Sequence, residues 1–146
     1  MALTPVDGAN PNERMVLAFL DTWGRQDVAA MLDFFTEDGS YIDMPLPPRH
    51  GKAAIREYVE AIFAAFSVRI ETFKIASAGD LVFTERVDHL TMNDSGRTVP
   101  LPVTGVMEIV DGRIAQWREY LDLGTAEEGL GITIRPPREG AKALSA

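Results

Sequence analysis

The apolar pattern of this chain changes period once, and that change narrows the possible folds more than any other feature. Before about residue 66 the apolar residues recur at helical spacing, and from Val68 onward they alternate. Asn10-Pro11-Asn12-Glu13 reads as a helix start: Asn10 can cap, Pro11 suits the first helical position and Glu13 can close a capping box. Met15, Val16, Phe19, Leu20 and Trp23 then form one stripe, and Gly24 is expected to end the helix. Asp27 can cap a short second helix with the stripe Val28, Met31, Leu32 and Phe35. Glu37-Asp38-Gly39 reads as a turn and Ser40 to Asp43 as a short strand. Met44 to Gly51, with prolines at 45, 47 and 48, reads as a stiff loop. A third helix is expected from about Lys52 to Phe66, with the stripe Ile55, Tyr58, Val59, Ile62, Phe63 and Phe66.

Strands are expected at Val68–Ser77, Leu81–Met92, Thr98–Val110 and Arg113–Leu123. Turn residues separate them, ending in a two-residue Asp111-Gly112 hairpin. Helices followed by an antiparallel meander define an α+β class. The expected fold is a curved mixed or antiparallel sheet wrapped around the long third helix, cone-shaped, with an apolar pocket at its open end.

A length of 146 residues fits one domain spanning 1–146, with a core at about 12–124 and flexible ends at 1–9 and 135–146. The formal charge of −8 opposes phosphate backbones and anionic lipid, so neither nucleic acid nor membrane is an expected partner. The absence of cysteine excludes disulfides and thiol chemistry, and two histidines are too few for a His-rich metal site. No apolar run approaches the roughly 20 residues of a membrane span. With no leader pattern at its start, the chain is expected to be cytoplasmic.

Two strands carry the residues suited to chemistry. Val82, Thr84, Arg86, Asp88 and Leu90 share one strand face. If that face is buried, Arg86 and Asp88 each need a partner, because burying a lone charge costs several kcal/mol. If it is convex, they form an ordinary surface ion pair. Trp117, Glu119 and Leu121 share a face of the last strand, placing a carboxylate between large apolar residues. Counting back from Asp111-Gly112 sets Val106 opposite Trp117 and Thr104 opposite Glu119. A carboxylate there has a raised pKa unless donors hold it charged, and Arg86 could bridge Asp88 and Glu119. The alternative is that Glu119 sits at the rim of a twisted sheet. Tyr41 and Asp43 share a face beside the proline loop, which suits holding a water or capping a turn. His89 points away from Asp88, and His50 reads as surface.

Tyr41-Ile42-Asp43-Met44-Pro45, Glu85-Arg86-Val87-Asp88 and Trp117-Arg118-Glu119-Tyr120-Leu121-Asp122 resemble the limonene-1,2-epoxide hydrolase family over roughly residues 12–124. The resemblance implies the cone fold shared with nuclear transport factor 2 and ketosteroid isomerase, no metal or organic cofactor, and a homodimer. Its implied partners are water and a small hydrophobic epoxide. Asp88 would protonate the epoxide oxygen, Arg86 would bridge the carboxylates, and Glu119 would stand where the family has an aspartate base. Tyr41 would help hold the water, and Asp43 would replace an asparagine with the same task. Arg86 is expected to keep Glu119 anionic while Asp88 retains the proton. The extra methylene of Glu119 moves its carboxylate by about 1.5 Å, and Asp43 adds a third acid, so one of the three should hold a proton.

Asp43 with Gly51-Lys52-Ala53-Ala54-Ile55-Arg56-Glu57-Tyr58 also resembles the segment around the ketosteroid isomerase base. That resemblance implies a proton-transfer isomerase or cyclase, but its oxyanion donors fall at about Phe19 and Gly105. A third reading is a small-ligand-binding module in which Arg86, Asp88 and Glu119 form a structural ion network.

Overall fold

The computed structural model describes residues 6–135. Helix α1 spans Pro11–Arg25 and α2 spans Val28–Asp33. Strand β1 covers Phe35–Asp43 and β2 Arg49–His50. Helix α3, Gly51–Ala65, leads into β3, Phe66–Ala78. Strands β4 (Leu81–Met92), β5 (Thr98–Val110) and β6 (Arg113–Leu121) complete the sheet, and α4 spans Leu123–Leu130. The sheet order is β2-β1-β6-β5-β4-β3. Among the described residues only β1 and β6 pair in parallel, and every other neighbour is antiparallel. This is the expected mixed α+β sheet.

The Asn10 cap forms as the sequence predicts, while Glu13 closes on the residue before the cap instead of on Asn10 N. The Asn10 side chain accepts from Glu13 N at 3.0 Å, and Glu13 reaches back to Ala9 N at 2.7 Å. Of the arm expected to be loose at 1–9, residues 1–5 lie outside the described residues, and Ala9 makes this one bond to α1. At the other end Arg135 is paired with Glu127, and 136–146 lie outside the described residues.

Several expectations need correction. Helix α1 passes Gly24 and stops at Arg25, where Gln26 takes the left-handed conformation, φ 52°. Glu37-Asp38-Gly39 is not a turn but an irregular stretch inside β1, where the register with β6 shifts between Phe35 and Ser40. Gly39 sits in a tight place there: a Cβ would lie 3.1 Å from the Phe35 ring and 3.2 Å from Ile114 O. The proline loop holds β2, and Phe66 opens β3 instead of closing α3.

The last strand ends at Leu121, because Asp122 caps α4 by accepting from Thr125 N at 3.1 Å. The counted register is also off by one. Met107 faces Trp117 and Gly105 faces Glu119, since the β5–β6 ladder shifts between Glu108 and Ile109. A one-residue slip swaps sheet faces, so this shift decides what lies beside the buried acid.

The core fills the concave side of the sheet. Trp117 is its centre: Tyr41 stacks on it at 4.3 Å between ring centroids, and Phe19 meets it edge-on at 4.8 Å. Trp23 and Phe35 complete the aromatic cluster, and Ile55 and Val59 of α3 pack against it. A second cluster of Leu101, Val103 and Ala126 fixes α4 against β5. Among the described residues no helix is long and apolar enough to cross a membrane.

Candidate active site

Alternation along β4 turns Val82, Thr84, Arg86 and Asp88 inward, onto the concave face. Arg86 and Glu119 are each 2% exposed, so the convex-surface and sheet-rim alternatives both fail. Arg86 grips both acids. Its Nε and Nη2 donate to Asp88 Oδ1 and Oδ2, each at 3.0 Å, and Nη2 donates to Glu119 Oε1 at 2.5 Å. Its Nη1 donates to Thr84 Oγ1 at 3.2 Å. Parallel fork-on-fork bonds of this kind are among the strongest a carboxylate can accept.

Gly105 makes the grip possible. A Cβ at 105 would come within 2.5 Å of Arg86 Nη1 and 3.0 Å of both Glu119 Oε2 and Thr84 Oγ1. The polar cluster therefore occupies the volume a side chain would need. Glu119 Oε2 is buried and has no hydrogen-bond partner among the described residues.

The remaining acid lies across the parallel ladder. Asp43 pairs with Glu119 and Tyr41 with Trp117 in the β1–β6 register. Tyr58 Oη of α3 donates to Asp43 Oδ2 at 2.7 Å, and Tyr41 Oη donates to the same oxygen at 3.3 Å. The Arg49 guanidinium covers the Tyr58 ring at 3.5 Å from its centroid. All five residues nominated from the sequence are thus gathered: Tyr41, Asp43, Asp88 and Glu119 line one cavity, and Arg86 lies behind it. The cavity holds about 250 Å³ and has apolar walls that include Trp23, Val68, Leu101, Leu130 and Ile134. His89 bonds Glu71 at 2.9 Å on the opposite face, and His50 is exposed.

Three neighbours escaped the sequence reading. Tyr58 was assigned to the core stripe of α3, because helical periodicity records the ring and not the hydroxyl. Thr84 was placed on the correct face, but its bond to Arg86 has no sequence signature. Helix α4 closes the cavity with Ala126 and Leu130; Asp122 as a cap, followed by these residues four apart, was the available signal.

Burial decides the electrostatics. Glu119 is pushed up to about 8 by loss of solvent, with Arg86 pulling it down and Asp88 raising it further. Desolvation thus works against the expectation that Arg86 keeps Glu119 anionic, and it outweighs the pull of the one guanidinium. Burial pulls Arg86 down, but the flanking Glu119 and Asp88 more than reverse it and hold the charge firmly. Burial also raises Asp43, against the pull of Tyr58 and Arg49, and it raises Tyr41 and Tyr58, each with help from Asp43. The site can hold one proton next to two ionised or ionisable oxygens in an apolar enclosure, which is the equipment of paired acid and base chemistry.

Residues 16–117 match the SnoaL-like domain family. A segment of 65 residues is 40% identical to epoxide hydrolase EphG of Mycobacterium tuberculosis (strain ATCC 25618 / H37Rv); it covers 44% of this chain and 41% of that protein. The chain thus spans less than half of that relative's length in the match. The structure of an LEH-like epoxide hydrolase from M. tuberculosis superposes with TM-score 0.73 and 27% identity, over 82% of this chain and 89% of that one. SalBIII, an epoxide hydrolase/cyclase-like enzyme with a role in pyran ring formation in the polyether salinomycin, shares the fold at TM-score 0.72 and 22% identity, over 78% and 92%. With 102 consecutive positions of 146 covered by residues 16–117, this chain belongs to the SnoaL-like domain family.

Proposed function

We propose that this protein is a cofactor-independent epoxide hydrolase that adds water to a small hydrophobic epoxide in one step. The observation that carries the reading is Arg86 bonded at once to Asp88 and Glu119 at the edge of an apolar cavity. Asp88 gives its proton to the epoxide oxygen as the C–O bond breaks. Glu119 takes a proton from the water whose oxygen bonds to the same carbon. Tyr41 and Asp43 hold that water. Push and pull occur together, so no ester to the protein is needed. The cycle closes when the proton on Glu119 returns to Asp88 and the diol leaves.

One proton on the Asp88–Glu119 pair satisfies this scheme. Burial favours its resting on Glu119, and the reactive arrangement has it on Asp88. The two arrangements carry the same total charge and share one guanidinium, so exchange between them keeps one ion pair to Arg86 and moves it from one acid to the other. A cavity of about 250 Å³ suits a compact substrate, being slightly below the roughly 300–1,000 Å³ common for ligand sites. We further propose a cytoplasmic homodimer, with Phe83 and Tyr120 of the outer sheet face, 38% and 47% exposed, among the residues available to a second copy.

A substrate hydroxyl in place of water would give a cyclic ether by the same push and pull; the shared fold with SalBIII supports keeping this as the second reading. An isomerase using Asp43 as base is disfavoured. Phe19 is buried in the aromatic core and Gly105 lies beneath Arg86, so neither expected oxyanion position has a side-chain donor. Losing one such donor costs about 3 kcal/mol.

The test is a single turnover of limonene oxide or cyclohexene oxide in ¹⁸O-water. Diol carrying one label in the first turnover, lost in Asp88→Asn and Glu119→Gln, supports the proposal. Unlabelled first-turnover diol means an ester with a protein carboxylate and refutes the one-step route. No diol from any epoxide, with turnover abolished by Asp43→Asn in a carbonyl isomerisation, moves the function to Asp43.

A further inference from the structure

Asp43 is the acid that the proposed chemistry least requires, yet it receives the most attention from neighbours outside the Arg86 cluster. Two phenols from different elements converge on one of its oxygens: Tyr58 from α3 at 2.7 Å and Tyr41 from β1 at 3.3 Å. The Tyr58 ring is itself held, with the Arg49 guanidinium 3.5 Å above its centroid. We propose that Tyr58 is a positioning residue, which fixes Asp43 as an acceptor for the reacting water and so lets a carboxylate do there what a side-chain amide could do. The inference rests on the water-holding role given to Asp43 above.

The argument is one of hydrogen-bond inventory. A carboxylate only accepts. A water has two protons to donate, and directing one to Glu119 and the other to Asp43 turns its lone pair towards a third partner, the epoxide carbon. Asp43 can serve in this way only if its orientation is fixed and one oxygen remains free. The bond from Tyr58 occupies Oδ2 at a distance typical of a strong O–H···O contact, while the bond from Tyr41 is long and readily exchanged. Tyr58 thereby leaves the Tyr41 hydroxyl available to the water and leaves Oδ1 outside both phenol bonds. The groups facing Asp43 are Tyr41 and its ladder partner Glu119 on the sheet, Tyr58 on α3, Arg49 on β2, and Arg86 behind Glu119.

Tyr58→Phe tests this, because it keeps the ring that Arg49 covers and removes only the hydroxyl. Two readouts are followed: steady-state turnover of the epoxide, and the titration of the Asp43 carboxyl carbon by NMR. The expected result is a fall in kcat of about tenfold or more with KM little changed, and an upward move of the Asp43 titration, since a donor to its charged form is gone. In an Asp43→Asn background the same Tyr58→Phe change should cost less than about threefold, because a neutral amide needs no donor to hold a charge. Equal losses in both backgrounds, or an Asp43 titration that does not move, overturn the inference. The NMR arm reports even if the protein hydrolyses no epoxide, so a failure of the hydrolase reading is distinguishable from a failure of this one. An unchanged melting temperature verifies that the fold has survived.

Discussion

Replacing Glu119 with glutamine removes the cost of burying its charge while leaving the pH effects of remote groups unchanged. The folded chain lifts this carboxyl from 4.5 to about 8, chiefly by burial. An unfolded chain ionises it near 4.5. The folded state thus holds the tighter proton, and its contribution to stability is complete below pH 4.5. That contribution drains away as pH rises, and is gone above about 8, where both states are ionised. At about 1.4 kcal/mol for each tenfold difference in proton affinity, the ceiling on this loss is on the order of 5 kcal/mol. Water penetration and relaxation around the new charge reduce it, since buried sites respond as if their dielectric were well above that of dry protein. Glutamine keeps the shape and can still accept from Arg86 Nη2, but it has no proton to lose. Urea unfolding of both proteins between pH 4.5 and 8.5 should show stability curves that diverge steadily in favour of Glu119→Gln as pH rises. Titrating groups remote from Glu119 are common to the two and cancel in the difference, which leaves Glu119 together with the Asp88 and Asp43 carboxyls coupled to it. Curves that stay parallel to within about 0.5 kcal/mol would mean that Glu119 is not buried as a strained acid, and the electrostatic account of the site would fall with it.

The same proton governs activity. With one proton required on the Asp88–Glu119 pair, kcat/KM should fall as pH rises through about 8, where the last proton leaves; a rate still climbing well above that value contradicts the assignment. Gly105→Ala drives a methyl into Arg86 Nη1 at 2.5 Å, so we expect a loss of about 1–3 kcal/mol in stability and about a hundredfold or more in turnover, read by thermal melts and initial rates. Asn10→Ala removes the cap of α1 and a donor to both Glu13 and Ser77; unfolding should show a loss of about 1 kcal/mol, with the rate of the site untouched.

Periodicity alone determined the class of this fold. The change from the stripe of α3 to the alternation of β3 through β6 reflects the two ways a backbone can present one apolar face, at 3.6 and at 2 residues. The same alternation put Arg86 and Asp88 together on one strand face and Glu119 among apolar residues on another, though not whether those faces are buried, and the Asn10 cap was local too. These are local properties, decided by neighbours along the chain. Three matters needed the assembled structure. The slip between Glu108 and Ile109, which puts Gly105 beneath Arg86, is a bulge in the pairing of two strands, and no periodicity within either strand records it. The bond from Tyr58 to Asp43 joins residues on α3 and β1 whose approach depends on how the helix lies across the sheet. The protonation of Glu119 depends on how completely water is excluded from the cavity, and that is a sum over distant side chains from α1, β5 and α4. Sequence fixes which face each residue occupies; solvent exclusion and cross-strand register arise only when faces from separate elements meet.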